Sequence, residues 1–168
     1  MIFSHSFSVK VKLDPKHMNL SGKEIKNELI KQLKKQYGNT CKEIGYIFDD
    51  DIKITYRSQG YLDTIIMDGG INYDVDFTAK ICYLSENEKL KCQIIKSNEE
   101  CLLLRTTEIK YQDAPLVIFM PIRYHNEEKQ KLLKKKKIGD IIYTTVLGSR
   151  FKTNIKPVKM NIIVVLQD

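Results

Sequence analysis

The sequence predicts an α+β amino-terminal domain, one helix on an antiparallel sheet, followed by an all-β barrel. Three observations carry this. One capped, amphipathic helix pattern stands near the amino end. The stretch Ile71–Tyr83 alternates apolar and polar residues, and five short strand patterns fill the remainder. Apolar side chains two apart share one face of a strand, whereas a spacing of three and four marks a helix.

Taken in order, Phe7–Leu13 alternates cleanly and reads as a strand that Asp14–Pro15 ends, since proline adds no donor to a ladder. Ser21 with Glu24 three residues on makes a capping box. Ile25, Leu29, Ile30, Leu33 and Tyr37 then form one apolar stripe, stopped by Gly38–Asn39. Lys23, Lys26, Lys31, Lys34 and Lys35 lie mostly off the stripe, as a solvated face or, less simply, an RNA-binding one. Ile44–Phe48 reads as a short strand. Asp49–Asp51 reads as a solvated turn rather than a Mg²⁺ site, because neighbouring side chains diverge. Ile52–Arg57 and Tyr61–Met67 read as two more strands, and Asp68–Gly69–Gly70 as the turn into the long strand from Ile71.

The second half carries strand patterns at Lys89–Lys96, Cys101–Thr106, Leu116–Met120, Asp140–Leu147 and Val158–Leu166. Five strands in this length fit a barrel of the OB type, which closes on itself and leaves no open edge. Arg123–Gly139 reads as an exposed, partly helical insertion between the third and fourth strands. The expected domains are therefore residues 1–83 and 84–168.

The chain has 168 residues, 42% hydrophobic and 29% charged, with a formal charge of +7. Residues 1–83 hold 12 lysines and arginines against 11 acidic residues; residues 84–168 hold 16 against 10. A basic half-molecule points to a polyanionic partner. Cys41, Cys82, Cys92 and Cys101 show no Cys-x-x-Cys and no zinc-site spacing. With no secretory leader pattern and no apolar run of membrane-spanning length, the expectation is an intracellular protein with reduced thiols and no membrane partner.

No P-loop, nucleophile elbow or His-Glu-x-x-His motif occurs, so no cofactor, metal or catalytic residue is expected and the chain reads as a noncatalytic binding or assembly protein. An OB barrel binds single strands by stacking bases on aromatics while cations track phosphates. Tyr83, Tyr111, Tyr143 and Phe151 are candidate aromatics, although strand aromatics are often core. Lys89, Lys91, Arg105, Arg150 and Lys152 are candidate cations. Lys134, Lys135, Lys136 and Lys137 form a phosphate clamp, a localisation signal or a solvated loop. Gly45 and Gly60, each before a bulky residue in strand-like surroundings, mark a bulge or a close backbone approach.

In this order the parts resemble the stalk proteins of multisubunit RNA polymerases: the seventh-largest subunit of eukaryotic RNA polymerase II and its archaeal counterpart, E-prime. Leu13–Asp14–Pro15 is similar to the family's Leu-x-Pro at the end of the first strand. Gly38–Asn–Thr–Cys41 and then Gly45–Tyr46–Ile47 resemble its Gly-x-Cys segment and Gly-Tyr-Ile. Gly60–Tyr61–Leu62 stands where the family has Gly-x-Ile. Tyr73, Val75, Phe77 and Ala79 resemble its Phe-x-Val-x-Tyr-x-Ala, and Val146–Arg150 its Val-Gly-Thr-Arg segment. Glu86–Asn87–Glu88–Lys89 departs from the family's Lys-Gly-Glu, the Gly-Pro turn after the second barrel strand is missing, and its Gly-Ser tail has no counterpart in Val165–Asp168.

The resemblance implies a noncatalytic subunit of a DNA-directed RNA polymerase. Its amino-terminal tip domain would dock near the clamp of the large subunits and the small omega-like subunit, through Gly45, Tyr46, Gly60, Tyr61 and Leu62. A smaller helical stalk partner would lie along it, and the OB barrel would face the nascent RNA. Heavy use of lysine, isoleucine and asparagine indicates an AT-rich genome, and with the divergence it suits a member encoded by a large DNA virus. The compartment would then be cytoplasm or virion, and the nucleus for a cellular eukaryotic polymerase. Two competing readings are a standalone single-stranded RNA-binding OB protein and an enzyme using Cys41 or His125.

Overall fold

The computed structural model describes residues 1–17, 19–62, 69–152 and 159–167, with 151 and 152 described by backbone alone. Two compact units divide the chain. One comprises Phe3–Thr40 and Ile47–Ile81; the other comprises Cys82–Asp168 together with Met1–Ile2 and Cys41–Tyr46. The second unit thus draws in Met1–Ile2, Cys41–Tyr46 and residues 82–83, which a division at residue 83 leaves with the first.

The first unit is strand-rich. Its elements are β1 (Ile2–Leu13), α1 (Gly22–Tyr37), β2 (Thr40–Lys42), β3 (Gly45–Ile47), β4 (Lys53–Arg57), β5 (Tyr61–Leu62) and β6 (Ile71–Cys82), some of which run on into the second unit. The strands form one sheet in the order β1-β6-β3-β2, with β4 and β5 also paired antiparallel to β6. Along β6, Tyr73, Val75, Phe77, Ala79 and Ile81 are buried while Asp74 and Lys80 are exposed, as period two requires. Phe77 receives Phe7 at 4.8 Å between near-parallel rings and Tyr37 at 5.4 Å. That aromatic cluster ties the last turn of α1 to the sheet, and Leu29 and Leu33 complete the buried face of the helix. Phe77, Leu29 and Leu33, fully buried, each contribute about 1.5–3 kcal/mol through removal from water.

The helix begins as the capping box requires. Ser21 Oγ accepts from the Glu24 N–H, and the Glu24 carboxylate accepts from the Ser21 N–H at 2.8 Å. Its end falls at Gly38–Asn39, as the sequence predicts. Gly38 has φ −64°, and the left-handed residue is Asn39 at φ 52°. Glycine is needed at 38 for space. A Cβ there would lie 2.6 Å from both the Lys34 carbonyl oxygen and the Asp49 Cβ. Gly69, at φ +73°, supplies the positive φ expected ahead of β6. Asp49–Asp51 forms a turn, in which Asp51 pairs with Lys80 at 2.9 Å.

Two strands depart from their expected bounds. β1 starts at Ile2 rather than Phe7: Ser4, His5 and Ser6 are exposed, so the half-buried Ile2 and Phe3 are cut off from the alternation that begins at Phe7. The strand expected over Tyr61–Met67 is described only at Tyr61–Leu62, and 63–67 lie outside the described residues.

The second unit is a closed five-stranded barrel. Its strands are β7 (Lys89–Ser97), β8 (Cys101–Thr106), β9 (Leu116–Pro121), β10 (Ile141–Lys152) and β11 (Lys159–Leu166), with α2 (Glu127–Lys135) between β9 and β10. The order around the barrel is β7-β8-β9-β11-β10 and back to β7. All pairs are antiparallel except β9 with β11. Alternate residues of each strand, such as Leu90, Cys92 and Ile94 or Ile142, Thr144 and Val146, fill the interior. The Thr144 hydroxyl donates to the Leu90 carbonyl at 3.2 Å, so the one buried hydroxyl in this set is satisfied. β10 runs past its expected end at Leu147, because a bulge between Val146 and Gly148 absorbs the break and pairing with β11 resumes. The insertion is partly helical as expected. The Asn126 side chain caps α2 by accepting from the Lys129 N–H at 3.0 Å, and Leu133 is buried. Among the described residues, no helix is long and apolar enough to cross a membrane.

Gly38→Ala is expected to lower the free energy of unfolding by about 1–3 kcal/mol, because the added methyl meets backbone on one side. Urea denaturation checks this, and an unchanged midpoint would mean that the helix end has room to spare.

Candidate nucleic-acid interface

Strand alternation decides which barrel side chains face outward. On β7, Lys89, Lys91 and Gln93 are exposed between buried neighbours. The register sets Tyr143 opposite Lys91, Thr145 opposite Lys89, and Ile141 opposite Gln93. On the other flank Arg105 of β8 lies opposite Gln93. Lys89, Lys91, Arg105 and Tyr143 therefore share one outer face of the barrel. Tyr143 is 57% exposed, and the Lys91 Nζ sits 5.8 Å from its ring centroid, within cation–π range. The backbone of Arg105 pairs in the ladder, but its guanidinium makes no hydrogen bond or ion pair among the described residues.

The other expected cations are placed elsewhere. Lys134 and Lys135 occupy the last turn of α2, where the negative end of the helix dipole favours them, and Lys136 is the C-cap. The Lys137 N–H donates to the Asp140 carboxylate at 2.9 Å, and all four side chains are exposed. Arg150 is exposed on β10 seven residues past Tyr143, roughly 20 Å along a strand at about 3.3 Å per residue. The side chains of Phe151 and Lys152 lie outside the described residues. Tyr111 is no stacking platform: it is buried, and its hydroxyl donates to the Glu88 carboxylate. Burial and that carboxylate push its pKa well up. Tyr83 is half-buried.

Of the residues expected to dock, Gly45 and Tyr46 are buried, and Gly45 has φ +126°. Their place is inside the fold, not on a docking surface. Gly60, Tyr61 and Leu62 are exposed, Leu62 at 58%. The Lys10 Nζ lies 5.4 Å from the Tyr61 ring, and the Tyr61 hydroxyl donates to Asp74 at 3.1 Å. Gly60 is a close approach: a Cβ would come within 2.6 Å of Ile71 Cγ2 and 2.9 Å of the Tyr73 ring. Substituting it strains the fold, so Tyr61 and Leu62 are the cleaner probes.

Among the described residues no three His, Cys, Asp or Glu side chains gather in a way that would hold a metal ion. The Cys41 thiol is buried and pushed up to about 11 by desolvation, the opposite of an activated nucleophile. His125 Nε2 accepts from the Leu166 N–H at 2.9 Å, so its proton sits on Nδ1, which donates to the Ile122 carbonyl at 3.3 Å. Both nitrogens are engaged, Nε2 at the end of β11 and Nδ1 in the turn after β9.

Glu88, one residue before β7, anchors this side of the barrel. It accepts from the Tyr111 hydroxyl, from the Met1 amine at 2.9 and 3.0 Å, and from the Ser85 N–H at 3.3 Å. The amine also donates to the Tyr83 carbonyl and, at 2.9 Å, to the Tyr111 hydroxyl. Sequence reasoning singled out neither Glu88 nor Gln93. The alternation through 89, 91 and 93 marks Gln93 as outward, but nothing local marks Glu88.

The chain matches no protein-family model and no curated protein.

Burial works to raise the Glu88 carboxyl, but the hydrogen bonds from Tyr111 and the Met1 amine outweigh it and hold it below the ordinary range. A depressed folded-state pKa means that the unfolded chain binds the proton more readily. The stability from this carboxylate is therefore present above about pH 4.3, the unfolded value, and is lost as pH falls through the folded one. Wild type should lose stability over that acid window, while Glu88→Gln starts lower by about 1–3 kcal/mol and shows a shallower acid slope. Parallel denaturation series at several pH values check this; identical slopes would remove Glu88 as the acid-sensitive group.

Proposed function

We propose that the chain is a noncatalytic, stalk-type subunit of a multisubunit DNA-directed RNA polymerase, with a barrel of the OB type that contacts the emerging transcript. The order β7-β8-β9-β11-β10, with one parallel closing pair and a helix between the third and fourth strands, supports the OB assignment. The amino-terminal sheet with its single helix supports the tip-domain assignment, and the collinear motifs support the family. The observation that carries the RNA reading is the open face on which Tyr143, with Lys91 over its ring, stands beside Lys89 and Arg105. An exposed aromatic among cations suits stacking of any base while phosphates are neutralised alongside. Binding would be salt-dependent and largely indifferent to sequence. On the other unit, exposed Tyr61 and Leu62 are the side chains offered to the clamp region and the small omega-like subunit. A smaller helical stalk partner completes the proposed assembly.

The chain purified from its source at low salt should bring large polymerase subunits with it, identified by mass spectrometry. Tyr61→Ala with Leu62→Ser should weaken that association while leaving the melting temperature within a few degrees of wild type. Recovery free of any polymerase subunit would sink the stalk reading and favour a standalone RNA-binding protein.

For the barrel, Tyr143→Ala should weaken single-stranded RNA binding by about fivefold or more, the low end of one stacked base. Affinity should fall by about 0.7 log units per log unit of salt for each phosphate neutralised. Replacing Lys134–Lys137 by glutamine should flatten that slope only if the run touches phosphate. An unchanged slope assigns the four lysines to the solvated end of α2.

A further inference from the structure

Resting on the single-strand reading above, we propose that the groove beside Arg105 is a pocket for one base of the bound strand, and that it prefers guanine. The groove, about 420 Å³, runs between the outer face of the barrel and the turn of residues 108–112. That volume falls in the range of small-molecule sites. Gln93 and Arg105 stand on one side of it, Glu108 and Ile109 on the turn, and Pro115 and Leu116 close it with apolar surface.

Two features make it a pocket for a base rather than a phosphate. Glu108 puts a carboxylate at the groove, where it would repel an anion. Lys89 and Lys91 stand outside on the strand face and suit the backbone instead. The Glu108 carboxylate is fixed: Oε1 accepts from the Lys91 N–H at 3.3 Å, and Oε2 pairs with the Lys110 Nζ at 2.9 Å. Each oxygen retains a second lone pair. Gln93 is held by its Nε2, which donates to the Gly139 carbonyl at 3.0 Å, leaving its amide oxygen available. Arg105 has every guanidinium donor unspent among the described residues. Ile109, 84% exposed, offers an apolar face at the rim that a base would cover.

A fixed carboxylate and a free guanidinium lining one groove match guanine best. Guanine has two adjacent donors, N1–H and the N2 amino group, on one edge, and the O6 and N7 acceptors that arginine reads bidentately on another. Adenine and cytosine each offer a single amino group beside a bare ring acceptor, which a carboxylate repels. Uracil offers one N–H between two carbonyls.

The test is fluorescence anisotropy at low salt with short uridine RNAs carrying one central guanosine, adenosine or cytidine. In wild type the guanosine strand should bind about fivefold or more tighter than the adenosine strand, the low end for one good bidentate contact. That ratio should fall toward one in both Arg105→Met and Glu108→Gln. Arg105 has no partner to lose among the described residues, so Arg105→Met should fold, and its ratio alone decides if Glu108→Gln does not. Equal affinity of wild type for all the RNAs would overturn the pocket while leaving the single-strand reading intact. A preference surviving in the folded variants would place guanine recognition elsewhere and also overturn it. Failure of every RNA to bind would remove the single-strand reading and the pocket with it.

Discussion

The structure depends first on the alternation along β6. Its inward row, from Tyr73 to Ile81, gives α1 an apolar surface to lie on, and Phe77 is where sheet, helix end and β1 meet. Because side chains on a strand have period two, a slip of one residue would bring Asp74, Asp76 and Lys80 to the buried face. Charges buried without partners cost several kcal/mol each, so the register is firmly set. β4 and β5 pair with successive parts of this one strand, and Gly60 allows the chain between them to approach Ile71 and Tyr73 closely.

The barrel meets a different constraint. Closure pairs the backbone of every strand on both sides, so no open edge needs covering. Outward side chains are then free to serve recognition. Bulges at Ile95 and Leu147 let the strands coil around the barrel and leave those two apolar residues exposed. Glu88 and Tyr111 fix the start of β7 and the turn after β8 together, so the Lys91–Tyr143 pair and Glu108 are carried by braced elements. Such bracing limits the ordering entropy lost when a ligand binds.

Much of this is legible in the sequence because it is local. Alternation within Ile71–Tyr83 and in the five later strands needs no knowledge of partners. Ser21 and Glu24 sit three apart, a distance that the helix itself dictates. What escapes is set by residues far apart in the chain. Lys91 and Tyr143 meet only through strand pairing across the closure of the barrel. Tyr111 stands among the candidate stacking aromatics, yet it is buried with its hydroxyl donating to Glu88; Tyr46, which the resemblance places with Gly45 at a docking surface, is buried as Gly45 is. Gly38 shows the same limit at close range. A helix-end rule accounts for the left-handed Asn39, but Gly38 is required for space against the Lys34 carbonyl and Asp49, and no such rule anticipates Asp49. Arg105 stands out in the sequence for its charge; the groove that gives the charge a use depends on the turn of Glu108 and the start of β9.

We propose that the barrel of this chain meets RNA as part of a transcribing polymerase. The most direct measurement is photocrosslinking from a transcript carrying 4-thiouridine at successive distances from the growing end, in elongation complexes containing this chain, with the crosslinked peptides mapped. Crosslinks are expected once the transcript has left the polymerase body, concentrated in peptides of β7 and β10 that carry Lys91 and Tyr143. Complexes that contain the chain but give no crosslink to it at any transcript length, or only to the unit that carries Tyr61, would contradict it.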